Sequence, residues 1–366
     1  MSSRRRRRMN ARPRILMVGT ALGGRGGVTA VVEVLRAAGL FEREGVAYVA
    51  THAAGGRLAK LGAALRGLWQ AARICLRTRP AIVHVHAASH ASFLRKSLVL
   101  LLGRLVGART IFHLHGGGFR RFAQHDAGPL LRRWIRHTLE ASTRVIALSG
   151  AWAGFVREVA PRAQVEVVPN AVPLPALDSR RGRPEPGRIL FLGRITPGKG
   201  VGELLEAAAA LAARHPALRL VLAGEGELAW ARRRAAELGV AERLELPGWL
   251  DGAACEAELA RAWLFCLPSH AEGLPMAMLE AMAAACPVVA SSVGAIPEAL
   301  RGGADGVLVA PRDAGALAGA IGRVLGDAGL HAQLARAGRA RIETTYSTDI
   351  VCGRLAAIYQ QLVRVK

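Results

Sequence analysis

Aromatic side chains are scarce, 5% of a chain of 366 residues. They are not interleaved with the cations in any recognisable nucleic-acid-binding module, which argues against recognition by base stacking. Cysteine is thin as well: Cys75, Cys255, Cys266, Cys286 and Cys352 are scattered, without a C-x-x-C pair or a Cys/His cluster. That spacing speaks against a disulfide framework and a zinc site, and for a reducing compartment such as the cytoplasm. Long apolar runs are missing too. The longest, Ser97 to Val106, is broken by Arg104 and preceded by Arg95 and Lys96, well short of the roughly 20 residues that span a bilayer. No secretory-type apolar segment follows Arg4 to Arg8, so the expectation is a cytoplasmic protein, at most peripheral on the inner face of a membrane.

Positive charge is abundant and lopsided. Residues 1–183 hold 31 Lys/Arg against 8 Asp/Glu, whereas residues 184–366 hold 19 of each. The whole formal excess of +23 therefore sits in one half. Such a field attracts anionic lipid headgroups, nucleic acid or an anionic acceptor, and it steers binding more than it sets fold. An arginine-rich coding habit and a solvated tail at the first five arginines account for the same numbers.

Strand and helix patterns alternate along the chain, the mark of an α/β fold with parallel sheets. In the first half, Arg14 to Gly19, Ala81 to His86, Arg109 to His115, Arg144 to Leu148 and Val165 to Val168 read as strands. Helices are expected over about Val28 to Ala38, Leu58 to Arg77 and Leu130 to Ala141. The stretch Pro173 to Gly187 is rich in proline, charge and small residues, as linkers are. The pattern then restarts with strands at Arg188 to Gly193, Leu218 to Ala223, Leu244 to Leu246, Leu264 to Leu267 and Val288 to Ala290. The expected division is a basic tail over 1–12, an N-terminal Rossmann-like domain over 13–175 and a linker over 176–187. A second Rossmann-like domain follows over 188–345, and a C-terminal helix over 346–366 returns to the first domain.

In open α/β sheets ligands bind beyond the carboxyl ends of strands, and four segments with chemical potential lie there. Ser269 to Ala283 (SHAEGLPMAMLEAMA) follows a strand and leads into a helix, with Pro275 expected at the first helical position. Glu272 and Glu280 stand eight apart, and an ionised carboxylate can accept from two vicinal hydroxyls. Between them, Gly273 and Leu274 place backbone amides near a helix start, a setting for phosphate or sugar oxygens. Phe191 to Gly200 (FLGRITPGKG) puts Arg194 and Lys199 in a glycine-rich turn. A guanidinium fork and a compact ammonium suit two adjacent phosphates.

His115, in Phe112-His-Leu-His-Gly-Gly-Gly118, ends a strand beside glycines that admit a substrate. An imidazole there donates to a hydroxyl or shuttles a proton near neutral pH. His84, His86 and His90 form a similar-looking group, read as structural because no Asp, Glu or Cys stands at ligand spacing. Gly23-Gly-Arg-Gly-Gly27 follows the first strand, but its spacing is not G-x-G-x-x-G and no acidic residue closes a second strand about 20 residues on, so a nicotinamide dehydrogenase is disfavoured. Gly224-Glu-Gly226, Gly248-Trp-Leu250, Ser149 and Asn170 also lie at strand ends, where packing or turn roles explain them equally well.

The E-x7-E segment with its EGLP start resembles that of the retaining GT-B glycosyltransferases of family four. The likeness is specific in the second half, looser in the first, and covers Arg14 to about Lys366. It implies two Rossmann-like domains facing across a cleft, with the C-terminal helix returning to the N-terminal domain. It also implies a nucleotide diphosphate sugar as donor substrate, with no cofactor, and a glycan or lipid-linked acceptor met by the basic half, as in polysaccharide or glycolipid biosynthesis. By resemblance Glu272 and His115 attend the transferred sugar, Glu280 the ribose hydroxyls, Gly273 and Leu274 sugar or phosphate, and Arg194 and Lys199 the diphosphate. Gly26 and Gly27 face the diphosphate and acceptor. No D-x-D occurs; enzymes of the other major glycosyltransferase fold commonly hold a metal with that pair, so metal independence is expected. An anionic membrane surface is a further expected partner, with the stretch Arg95 to Arg109 either lying on it or serving as a core helix. A nucleotide-sugar epimerase of similar fold and a basic nucleic-acid- or membrane-binding protein are the alternatives; nucleic acid is not expected as a partner.

Overall fold

The computed structural model describes residues 14–177 and 184–364. The basic tail expected over 1–12, and residues 178–183 of the expected linker, lie outside the described residues. The chain divides into two compact units, Met1–Ala171 with Thr348–Lys366, and Val172–Ser347.

The first unit is a six-stranded parallel sheet: β1 (Ile15–Gly19), β2 (Val46–Ala50), β3 (Ile82–Ala87), β4 (Arg109–Leu114), β5 (Arg144–Ala147) and β6 (Val165–Val167), in the order β2-β1-β3-β4-β5-β6. Its central strands are buried along their length, as parallel strands covered on both faces must be. Between them run α1 (Gly27–Ala37), α2 (Arg57–Thr78), α3 (Ala91–Leu105), α4 (Pro129–Glu140) and α5 (Gly150–Val159). The stretch Arg95 to Arg109 divides between α3 and the start of β4. Phe93, Lys96, Val99 and Leu100 of α3 are buried, so this helix is chiefly a core element and Lys96 is not one of its surface cations.

The second unit repeats the architecture with β7 (Arg188–Leu192), β8 (Arg219–Ala223), β9 (Leu244–Gly248), β10 (Leu264–Leu267), β11 (Val288–Ser291) and β12 (Val307–Val309), ordered β12-β11-β10-β7-β8-β9 and again all parallel. Helices α6 (Val201–Leu211), α7 (Leu228–Glu237), α8 (Gly252–Arg261), α9 (Met276–Ala283), α10 (Ala314–Gly326) and α11 (Ala328–Arg341) connect and cover it. Arg188, at the base of β7, is buried yet charged. Its guanidinium grips Glu245 of β9 at 2.8 and 3.0 Å and Glu258 of α8 at 2.8 and 3.2 Å. These bonds satisfy the fork and pin three elements together.

The chain then returns to the first unit as α12 (Thr348–Arg364), whose buried residues Val351, Leu355, Ile358, Tyr359 and Leu362 recur at helical spacing. That apolar stripe packs on α1 and β3. Among the described residues no helix is long and apolar enough to cross a membrane.

Candidate functional site

Strand order reverses once in each sheet, and at a reversal the two flanking loops diverge to leave a crevice. In the second unit the reversal lies between β7 and β10. The turn after β7 carries Arg194 and Lys199, and the loop after β10 carries Glu272, so the topology joins two motifs more than 70 positions apart. Lys199 Nζ donates to Glu272 Oε1 at 2.5 Å. Arg194 is exposed and its guanidinium makes no hydrogen bond or ion pair among the described residues.

Two glycines hold these loops at close quarters. Gly200 has φ 72° and caps α6; a Cβ there would collide with the carbonyl of Pro268. Gly294, at φ 58°, lies against the carbonyl of Glu272 in the same way. Only glycine combines left-handed backbone with such an approach. Backbone bonds from His270 N to Gly198 O (3.1 Å) and from Ala295 N to Gly273 O (2.9 Å) complete the interlock.

The Leu274 side chain is buried and anchors the loop from below, and Gly273 is buried beside it. Pro275 is not the first helical residue, as its position suggested, but the N-cap. Its backbone is still extended (φ −72°, ψ 125°) while its carbonyl already accepts from Leu279 N at 3.3 Å. Glu280, one turn into α9, has no partner for its carboxylate among the described residues, and burial raises its pKa above the usual carboxylate range. A half-buried, unpaired carboxylate is an acceptor awaiting hydroxyl donors. Gly224 N donates to Gly248 O at 2.8 Å and Gly224 lies against the Gly193 carbonyl, so the glycines at the ends of β8 and β9 meet beside the Arg194 turn.

In the first unit the reversal lies between β1 and β3. Gly26 caps α1 without a side-chain hydrogen bond, and Gly26 and Gly27 are exposed. His115 follows β4, half-buried. The protein around its ring pushes its pKa down to about 3, offset in part by a hydrogen bond with Asn170. It is therefore a neutral imidazole near pH 7, able to donate or accept a hydrogen bond but not a proton carrier poised at neutrality. Ser149 is a helix cap, its Oγ accepting from Trp152 N at 3.2 Å.

Behind His115 the sheet carries a buried ladder of histidines. His84 and His86 of β3 and His113 of β4 share one face, with ring centroids 4.6 to 5.4 Å apart. His84 Nδ1 meets the Tyr359 hydroxyl at 2.7 Å and His84 Nε2 meets His113 Nδ1 at 3.3 Å; His86 Nδ1 meets His115 Nε2 at 2.8 Å. With one proton per neutral ring, the two bonds at His84 run in a single direction, from Tyr359 through His84 to His113 or the reverse, as the tautomer sets. The Nε2 atoms of His86 and His113 are left buried without a partner. These three rings are the one group among the described residues whose ligand atoms approach closely enough to hold a metal ion. His90 is not part of the ladder: it is exposed and faces Asp126 at 3.5 Å.

Residues 178–341 match the family described as glycosyl transferases group 1, and residues 15–174 match glycosyltransferase family 4. The glycogen synthase of Mycobacterium tuberculosis is 30% identical over 291 residues, covering 77% of this chain and 69% of that protein. The chain belongs to the group 1 glycosyltransferases. Another relative of this glycosyltransferase is the D-inositol 3-phosphate glycosyltransferase of Acidothermus cellulolyticus, 33% identical over 235 residues, or 60% of this chain and 51% of that one. Its fold, GT-B, is shared with sucrose-phosphate synthase from Thermosynechococcus elongatus (TM-score 0.78, 20% identity, 96% and 100% of the two chains). HepE of Anabaena, solved in complex with UDP, shares it as well (TM-score 0.72, 16% identity, 95% and 100%).

Sequence reasoning missed a support beneath the glycosyltransferase's E-x7-E loop. His270 Nε2 pairs with Glu203 Oε1 of α6 at 2.7 Å, and its Nδ1 accepts from Arg312 at 3.4 Å. Ser269 next to it is buried with its Oγ unpartnered. Nothing local in the sequence signals either, since the partners of His270 are distant in the chain.

Proposed function

We propose that this glycosyltransferase moves a sugar from a nucleotide diphosphate donor to a glycan or lipid-linked acceptor, with retention at the anomeric carbon, in polysaccharide or glycolipid assembly on the cytoplasmic side. The observation that carries the reading is the junction of Arg194, Lys199 and Glu272 at the β7/β10 reversal, with the unpaired Glu280 nearby. Arg194 and Lys199 hold the paired phosphates and stabilise the charge that grows as the sugar–oxygen bond of the donor breaks. With two cations so placed, the diphosphate needs no metal. Glu272 accepts from hydroxyls of the transferred sugar, Glu280 from those of the ribose, and the amides of Gly273 and Leu274 border sugar and phosphate. Gly26 and Gly27, exposed at the start of α1, serve the diphosphate and acceptor side, and neutral His115, its ring held by His86 and Asn170, borders the transferred sugar. The acceptor oxygen bonds to the anomeric carbon on the face the diphosphate leaves, and the departing diphosphate takes the acceptor's proton. HepE, a protein of the same fold, binds UDP, which supports a uridine diphosphate donor.

A panel of nucleotide sugars screened by thermal shift tests this directly. A true donor at 100 times its Kd adds about 2.7 kcal/mol of stability. The stabilising donor, given acceptor, is then expected to yield product of unchanged anomeric configuration by NMR. Failure of every uridine, guanosine and adenosine diphosphate sugar to stabilise the chain would overturn the reading, and inverted product would overturn the stereochemical part.

A further inference from the structure

From Gly45 through His125 the chain contains twelve Lys/Arg and not one Asp or Glu. Within that stretch lies α2, a 22-residue helix of unusual exposure that carries five of the twelve. Its buried side is narrow and made of small residues, Ala64, Gly67, Ala71 and Cys75. Leu58, Leu61, Leu65, Trp69 and Leu76, by contrast, are 56% to 85% exposed. At 3.6 residues per turn these five project within a sector of about 80°. Five large apolar side chains lined up in water are not the scattered single exposures of an ordinary surface.

The cations flank this stripe. Arg66, Arg73 and Arg77 run along one side and Arg57 and Lys60 along the other, all exposed. The Arg73 guanidinium lies over the Trp69 ring, 5.4 Å from its centroid. An apolar stripe edged by cations, on a helix that does not qualify as a membrane span, is the pattern of a helix lying in the plane of an anionic bilayer surface. A second copy of the chain fits less well. Two such helices placed face to face would oppose cation to cation, with no carboxylate in the helix to compensate.

We infer that α2 is a membrane-docking helix, inserting Leu58, Leu61, Leu65, Trp69 and Leu76 at the headgroup boundary of an anionic leaflet while its flanking arginines and lysine meet lipid phosphates. This surface differs from Arg95 to Arg109, where the core takes up Lys96 and much of the apolar face. It deepens the acceptor reading above and rests on it only for the claim that the docked leaflet supplies the acceptor.

Flotation of the full chain with vesicles of phosphatidylglycerol and phosphatidylcholine, against phosphatidylcholine alone, tests it. The chain is expected to float with the anionic vesicles, less so as salt rises, and not with the neutral ones. The triple variant Leu61→Ser, Leu65→Ser, Trp69→Ser removes only exposed groups and is expected to lower partitioning at least about tenfold. Its thermal stabilisation by a nucleotide sugar, which reads the second unit, should be unchanged. Undiminished flotation of the variant, or equal flotation with neutral vesicles, would overturn the proposal. So would a dimer in sedimentation that the triple variant dissolves, since the stripe would then belong to a second copy. Flotation without any nucleotide-sugar stabilisation would leave the docking helix standing and bring down the enzymatic reading instead.

Discussion

Acidification should unlatch the first unit well before ordinary acid denaturation. His84, His86 and His113 are 0% to 1% exposed. Burial lowers all three pKa values, His84 to about 3, and neighbouring histidines lower them further. In the unfolded chain each titrates near the ordinary value of 6.5. Below that value the unfolded state binds protons that the folded state refuses, three at this ladder and one more at His115, so stability rises with pH and is lost as pH falls from about 6.5 toward the folded values. Each ring contributes about 1.4 kcal/mol at pH 5.5, so going from about pH 7.5 to about pH 5.5 removes about 4 kcal/mol from the three together. That is a large share of a typical net stability of about 5–15 kcal/mol. Because the described residues of the second unit hold no such ladder, the assay should be local. Hydrogen exchange of peptides covering β3 and β4, corrected for intrinsic rates, should show protection falling by two to three orders of magnitude across about two pH units. Protection of those strands that stays flat over this range would refute the argument.

Lys199→Ala and Glu272→Ala should each lower kcat/KM for transfer about 100-fold or more while leaving the melting temperature of the unliganded protein nearly unchanged; full activity in either would remove the pair from the site. Arg188→Ala removes the shared cation of Glu245 and Glu258, of which Glu258 keeps Arg261, and is expected to cost about 1.5–3 kcal/mol by urea denaturation, whereas Arg188→Met should cost less. Gly294→Ala sets a methyl against the Glu272 carbonyl on left-handed backbone. It should destabilise by about 2 kcal/mol and raise KM for the donor, because the displaced loop carries the E-x7-E glutamate; unchanged donor KM would show that the loop is not held from that side.

The central strands of both sheets were legible because each is a continuous apolar run closed by glycine or proline, as with β1, β7 and β10. The edge strands β2 and β12 were not read as strands. Each is half-exposed and short, so its apolar signal is diluted. Helices α8, α10 and α11 likewise passed unread, their alanine- and glycine-rich faces offering weak contrast. In the site, Arg194, Lys199, Glu272 and Glu280 stand in contiguous motifs and could be named from the sequence. The bonds that organise them could not, since Lys199 to Glu272 spans 73 positions, Glu203 to His270 spans 67, and His84 to Tyr359 spans 275. The histidine ladder shows the same limit. His84 and His86 alone look like incidental residues, and only the register of β3 beside β4, pairing His86 with His113, assembles the group.

The return of α12 to the first unit also sets an order of events during synthesis. Residues 172–347 form one uninterrupted segment and can close their core as soon as they leave the ribosome. The earlier-made segment cannot, because Tyr359 and the apolar stripe of α12 emerge only after residues 172–347 and are what cover His84 and its strand. The first unit must therefore wait, incompletely covered, for α12 to arrive. A nonsense codon or proteolytic cut ahead of α12 would do its damage there, in the segment translated earlier.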